Sequence, residues 1–332
     1  MITDVAAGRA EPVAATEPAL PYGGHRLTPE HYEPDRVPYD VARYSSVPDT
    51  LPVGSPAKVG ILELGFASTV NGTELVHHYQ KSPLQIMHPL YYDPARPDMA
   101  YTYLMSTGAG VMQGDRLRTD LTFGPGTSAF LTTTAYTRAM RMEYDYAVAQ
   151  VNVDVGPDAY VEYLPEPVIA FADTRMYQRT RARVDPSATL VVADTFVAGR
   201  LARDERHRYS ALAADLEIRR PDGTVVAVDR LRLVPEDGAT GGLAVLDDHD
   251  VVGSLYVVTP LAAARELADL LHAELTDGPD VLFGVSALPG DAGVWMRVLG
   301  DGTAPVADAL RLAWQALRLR LTGLPAPVVR RT

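Results

Sequence analysis

The chain has 332 residues and no cysteine, so carboxylates, imidazoles, hydroxyls and amines must carry any chemistry it does. Disulfides, thiolate nucleophiles and thiolate metal ligands are excluded. Three acids stand out inside apolar, strand-like runs. Asp115 closes the glycine-punctuated bend of residues 108–114, Asp194 lies within ATLVVADTFV, and Asp229 precedes Arg230-Leu231. A carboxylate buried in such a run costs several kcal/mol unless it is paired, hydrogen-bonded, hydrated or metal-bound. Each also has a purely structural use: Asp115 as the cap of a turn, Asp194 paired with Arg200, Asp229 paired with the adjacent Arg230. Taken together they form an oxygen-only set, poor at gripping a borderline metal but suited to passing one along hydrated. The rival chemistry is acid–base catalysis, a β-rich hydrolase or isomerase using Asp115 with a histidine such as His207 or His249 in a closed pocket.

Other motifs carry less. His77, His78 and His88 suggest a metal site, but adjacent strand residues face opposite ways, so His77 and His78 cannot easily share one ion. The run GAGVMQG at 108–114 follows a strand like a dinucleotide fingerprint, yet a period-two pattern follows it and no helix N-terminus is there to hold a pyrophosphate. Ser55-Pro56-Ala57-Lys58 fits SxxK without the SDN and KTG elements that accompany it in penicilloyl transferases. The sequence has no nucleophile elbow, P-loop or HExxH.

The elements that must position these residues read as strands. Leu117, Thr119, Leu121 and Phe123 alternate with Arg116, Arg118, Asp120 and Thr122, the period of a strand with one buried face. Gly124-Pro125-Gly126 reads as the turn of an antiparallel hairpin into residues 128–134. Asn71-Gly72 marks another hairpin, between 57–67 and 74–79. Further strands follow at 149–155, 160–164, 188–197, 214–218 and 226–228, the last two joined at Pro221-Asp222-Gly223. The pattern predicts a mainly β protein of antiparallel strands. Two helices are expected in the C-terminal third, one from Thr259-Pro260 and one from Thr303 to a stop at Gly323, with strands 281–288 and 293–299 between them. No internal repeat of fixed length is evident.

Composition bounds the rest. A hydrophobic content of 47% can bury a large core, and a net charge of -12 leaves no basic stripe for nucleic acid. The amino terminus lacks a secretory pattern and no apolar run is long enough to span a bilayer, so a soluble cytoplasmic protein is expected. Residues 1–56 hold nine of the 26 prolines and read as an extended or disordered arm preceding one β-rich domain at 57–332.

The runs GAGVMQGDRL (108–117), LTTTAYTRAMR (131–141), EYLPEPVIAF (162–171), ADTFVAGR (193–200) and WQALRLRLTGLP (314–325) resemble, in order and spacing, the urease accessory protein D family (UreD, also called UreH). Thr73-Glu74-Leu75 and Ser82-Pro83-Leu84 fit as well. The resemblance spans about residues 59–325. It implies an elongated, β-helix-like or sandwich fold with two helices. It also implies a non-catalytic scaffold that binds urease apoprotein and accessory proteins F and G and conducts nickel, in transit and not tightly held, through a water-filled passage. The residues this family associates with the passage fall on Asp115, Thr137, Asp194 and Asp229. The sequence departs from the family at Gly108-Ala109-Gly110, at Gln113, at Arg138-Ala139-Met140 and at the carboxyl end, residues 329–332. The last change bears on the contact with protein F, and a divergent member serving another metalloenzyme is the alternative.

Overall fold

The computed structural model describes residues 24–45, 58–238, 240–242 and 245–329. β1 (Val59–Thr69) and β2 (Gly72–Lys81) make an antiparallel hairpin turned at Asn71-Gly72, where Gly72 sits at φ +110°. β3 (Leu84–Gln85) and β4 (Ala100–Ser106) then cross to a second sheet. From β5 (Arg116–Phe123) the chain coils. β6 (Ser128–Thr133) lies in the second sheet, β7 (Thr137–Ala139) forms a short third side, and β8 (Ala147–Val155) returns to the first. A second circuit follows through β9 (Tyr160–Tyr163), β10 (Val168–Ala170) and β11 (Arg175–Val184), and β12 (Thr189–Val197) and β13 (Ala211–Arg219) extend the two sheets. β14 (Val225–Leu233) ends the first sheet; β15 (Val251–Val258), β16 (Leu282–Ala287) and β17 (Gly293–Gly300) complete the second.

The mainly β fold, β-helix-like with two long helices near the C-terminus, is as expected. The strand pairing is not wholly antiparallel. β5, β8, β11 and β13 run parallel to one another, as do β4, β6, β9 and β12. The supposed hairpin at Gly124-Pro125-Gly126 is a corner between sheets. A two-residue primed turn would return the chain alongside itself, whereas this longer corner carries it across the roughly 10 Å between facing sheets. The corner recurs at Gly156-Pro157-Asp158 and at Asp185-Pro186-Ser187, and the corners stack: Gly126 N donates to Pro157 O at 2.8 Å and Asp158 N to Ser187 Oγ at 2.9 Å.

Stacking in register sets the core. Leu121, Val153, Ala182 and Ile218 form one inward row, and Phe123, Val155 and Val184 the next. They meet Leu131, Val161, Leu190 and Val192 from the second sheet. Rows that are apolar throughout make a parallel ladder dry and favourable, at about 1.5–3 kcal/mol for each large side chain buried. One row departs from this: Leu117, Ala149 and Ala214 align with Gln178.

Four α-helices are found among the described residues. α1 (Pro29–Tyr32) and α2 (Tyr39–Ala42) are single turns; α3 (Ala264–Thr276) and α4 (Thr303–Thr322) pack on the outer face of the second sheet through Leu267, Leu271, Val306, Ala313 and Leu317. α3 starts later than Thr259-Pro260 predicts. Ala263 is still extended, Thr259 Oγ1 accepts from Leu261 N, and Asp291 Oδ1 accepts from Ala264 N at 2.7 Å as the distant cap. α4 stops at Gly323, φ +72°, as expected.

The segment read as an arm falls partly outside the described residues, at 1–23 and 46–56, and the altered end at 330–332 does too. Residues 24–45 hold short helical turns at 24–27, 29–32 and 39–42 and pack on the sheet. Tyr32 and Val41 are buried against the outer face of the first sheet. Gln150 donates to Tyr32 O, Arg116 to Glu33 Oε1 and Arg26 in bidentate fashion to Glu63. Among the described residues no helix is long and apolar enough to cross a membrane.

Candidate functional site

The polar exception in the stacked rows marks the site. On β11, Met176, Gln178 and Thr180 alternate inward, and Gln178 has an amide where its row otherwise has Leu and Ala. Facing it from β12 is Asp194, on the same side as Leu190 and Val192, and Gln178 Nε2 donates to Asp194 Oδ1 at 2.9 Å. Burial pushes the Asp194 carboxyl up to about 7; the negative charge of Asp229 adds to this and the Gln178 hydrogen bond opposes it.

Asp229 reaches the same interior from β14. Tyr256 donates to its Oδ2 at 2.8 Å, and Arg297 of β17 forms an ion pair with the same oxygen. The pairings suggested by sequence proximity are not made. Arg200 binds Glu205 instead of Asp194, and Arg230, one residue along the strand, points to the opposite face from Asp229. Between Asp194 and Asp229 lies a void of about 10 Å³, close to the least that holds one water.

On its other side Asp194 lines a cavity of about 180 Å³ between the sheets. Its wall includes residues 108–111, residues 133–138 with Thr137, and Glu166, Gln178 and Thr195. The loop is held to β7 because Val111 N donates to Arg138 O at 2.8 Å and Met140 N to Val111 O at 2.9 Å. Glu166 and Thr195 also border a second cavity, of about 310 Å³, under α4 beside Phe130 and Trp314. The loop from Pro165 and the strand at Thr195 are therefore the partition between the inter-sheet space and the groove beneath the helix.

Asp194 and Thr137 thus meet on one cavity, and Asp229 adjoins it through Asp194. Asp115 does not line it. Its Oδ2 accepts from Met112 N at 2.8 Å, the turn-capping role that the sequence allowed, and burial pushes its carboxyl up to about 6 against the pull of that hydrogen bond, Lys58 and Arg116. Gln178, Glu166, Thr195 and Arg297 were missed in the sequence. A signal existed for Arg297, a lone charge in the apolar run VWMRVLG, and for Gln178, an amide at an inward position of its strand.

Among the described residues the lining offers carboxylate, amide and hydroxyl oxygens and no histidine. Such donors hold a hydrated divalent cation weakly and reversibly. The acid–histidine pair that a hydrolase needs is not assembled there: His207 contacts Tyr209 and His249 contacts Asp301. His77 and His78 diverge as expected, to Glu63 and Gln80. Among the described residues, the acids and histidine whose ligand atoms come closest, His31, Glu63 and Asp120, lie on the outer side of the first sheet, where Arg26 and Arg118 already engage the two acids.

Comparison with known proteins gives a consistent result. Residues 58–332 match the family described as UreD urease accessory protein. A Streptomyces griseus protein named urease accessory protein UreD 2 is 54% identical over 293 residues, 88% of this chain and 100% of the relative. A Haloarcula marismortui protein named urease accessory protein UreD is 39% identical over 83% of this chain and 91% of its own length. A Brucella suis protein named urease accessory protein UreD 2 is 30% identical over 87% and 96%.

Proposed function

The chain belongs to the UreD urease accessory protein family, and from that membership we propose that it is a cytoplasmic, non-catalytic scaffold in urease maturation, with residues 57–332 as its working unit. In this reading it binds urease apoprotein together with accessory proteins F and G, and nickel is its cargo. The cargo crosses the interior by way of the Asp194 cavity. The observation that carries the proposal is Asp194 itself, a carboxyl lining an inter-sheet cavity and poised to ionise near neutral pH beside a second acid.

The chemistry follows from that poise. An arriving hydrated cation favours the ionised form, so Asp194 releases its proton as the cation enters and regains it as the cation leaves. Oxygen donors keep the hold weak. Thr137 and Glu166 supply further oxygens along the wall, the pair of Asp229 with Arg297 tunes Asp194, and Asp115 shapes the loop at the mouth.

The test is urease activation in cells producing equal amounts of the assembled proteins. Asp194→Asn is expected to lower nickel incorporation into urease by roughly tenfold, the scale seen when groups next to a metal are altered. Unchanged nickel content would remove the passage from the proposal. Tagged protein is expected to recover protein F and urease subunits, and failure to recover either would remove the scaffold role.

A further inference from the structure

The outer face of the first sheet holds a feature unrelated to the interior cavity. Where α2 and the residues before it lie across β11, β13 and β14 there is a cavity of about 310 Å³ bordered by five arginines, Arg36, Arg179, Arg181, Arg230 and Arg232. Three carboxylates share its lining: Asp40, Asp215 and Glu217. Five arginines against three carboxylates leave the lining with a net charge of +2, in a chain whose net charge is -12. All three acids are already engaged, Asp40 with Arg232 at 3.7 Å. Asp215 accepts from Arg232 at 2.6 Å and from Tyr177 at 3.0 Å, and Glu217 is held by Arg219.

The guanidinium groups are less well satisfied. Arg179 is only 7% exposed, and its buried Nε has no hydrogen-bond partner among the described residues. Its other nitrogens reach Gln150 and, at 3.5 Å, Asp35, which also binds Arg181 at 2.8 Å. Arg36 and Arg230 make no hydrogen bond or ion pair among the described residues. A buried donor without an acceptor requires an explanation, and the arginines of the lining outnumber its carboxylates by five to three.

We infer that this cavity is a binding site for a phosphate-bearing small molecule carrying more than one phosphate group, such as pyrophosphate or the phosphate chain of a nucleotide. Planar guanidinium forks match phosphate oxygens in bidentate geometry. The cavity, at the lower end of the size range for small-molecule pockets, has room beyond one orthophosphate. Its walls come from two parts of the chain, Arg36 from the N-terminal segment and Arg179, Arg181 and Arg230 from the sheet. A bound polyphosphate therefore ties that segment to the sheet.

The test is calorimetric titration of the full chain with pyrophosphate, ATP and a glutamate-rich peptide at constant ionic strength, together with thermal unfolding. Arg36→Ser with Arg230→Ser is the informative variant, because both side chains are exposed and unpartnered and their loss should leave folding intact. Saturable binding of pyrophosphate or ATP, weakened roughly tenfold or more in the double variant along with the ligand's gain in unfolding temperature, is expected. Tighter ATP than pyrophosphate identifies a nucleotide, and equal affinity an inorganic polyphosphate. Absence of saturation, affinity unchanged in the variant, or preference for the glutamate peptide would each overturn the assignment.

Discussion

Asp194 occupies an environment that its neighbours in sequence do not announce. Unfolded, it ionises at the ordinary value of 3.8; folded, at about 7. Below the lower value it is neutral in both states and affects nothing. Between the two, the folded chain holds a proton that the unfolded chain has released, so stability falls as pH rises, and above about 7 the whole cost is present. Asp194→Asn is therefore expected to flatten part of the decline between about pH 4 and about pH 7, by roughly 2 kcal/mol, discounted because the carboxyl borders a cavity. Urea midpoints of the two proteins across that range check this. On the proposed path, nickel transfer through the assembled proteins is expected to accelerate as pH rises through about 7, where the carboxylate form takes over. The Asn variant should show no such acceleration in a stopped-flow transfer assay.

At the scale of elements, α4 and the loop at residues 108–114 decide how the interior is enclosed. α4 is clamped by Arg318, which is fully buried and donates to Glu162 Oε2 at 3.1 Å, Asp93 Oδ2 at 2.8 Å and the Tyr101 hydroxyl at 2.9 Å. Replacing Arg318 with Met leaves two buried carboxyl groups uncompensated, an expected loss of about 3–5 kcal/mol measured by urea unfolding. Adding Glu162→Gln should recover part of it. In the loop, a Cβ at Gly110 would come within 2.2 Å of Arg138 O, the acceptor that holds Val111. Gly110→Ala is expected to push the loop off β7, and faster hydrogen exchange at Val111 and Met140 would report it. These elements were legible in outline. Gly323 and the apolar stripe of α4 set its end and face, whereas the cap of α3 comes from Asp291, beyond any local pattern.

At the scale of the molecule, the two sheets form one coil whose outer face is partly covered by residues 24–45. From that segment Glu33 pairs with Arg116 and Asp35 is shared by Arg179 and Arg181, and Tyr32 and Val41 are buried against the sheet. Deleting residues 1–45 is expected to lower the unfolding temperature and leave those arginines facing solvent. A scan of the truncated protein in low and high salt checks both effects, since the exposed charges repel less as screening increases. Proline content argued for looseness here. The acids and aromatics between the prolines, which find partners only on a folded sheet, override that bias.

The sequence by itself determined most of the strands, though not β11 or β15, together with both long helices, the family, and the three acids whose burial would need an explanation. Alternation and turn residues are local, and five motifs in order survive without coordinates. Only the tertiary structure decided that the Gly-Pro corners join two sheets, that Asp194 faces Gln178 while Asp229 faces Arg297, and that Asp115 stays apart from both. Those pairings join residues up to 68 positions apart through the stacking of successive coils. A strand's own pattern states which way a side chain points, but not what the neighbouring sheet places in front of it.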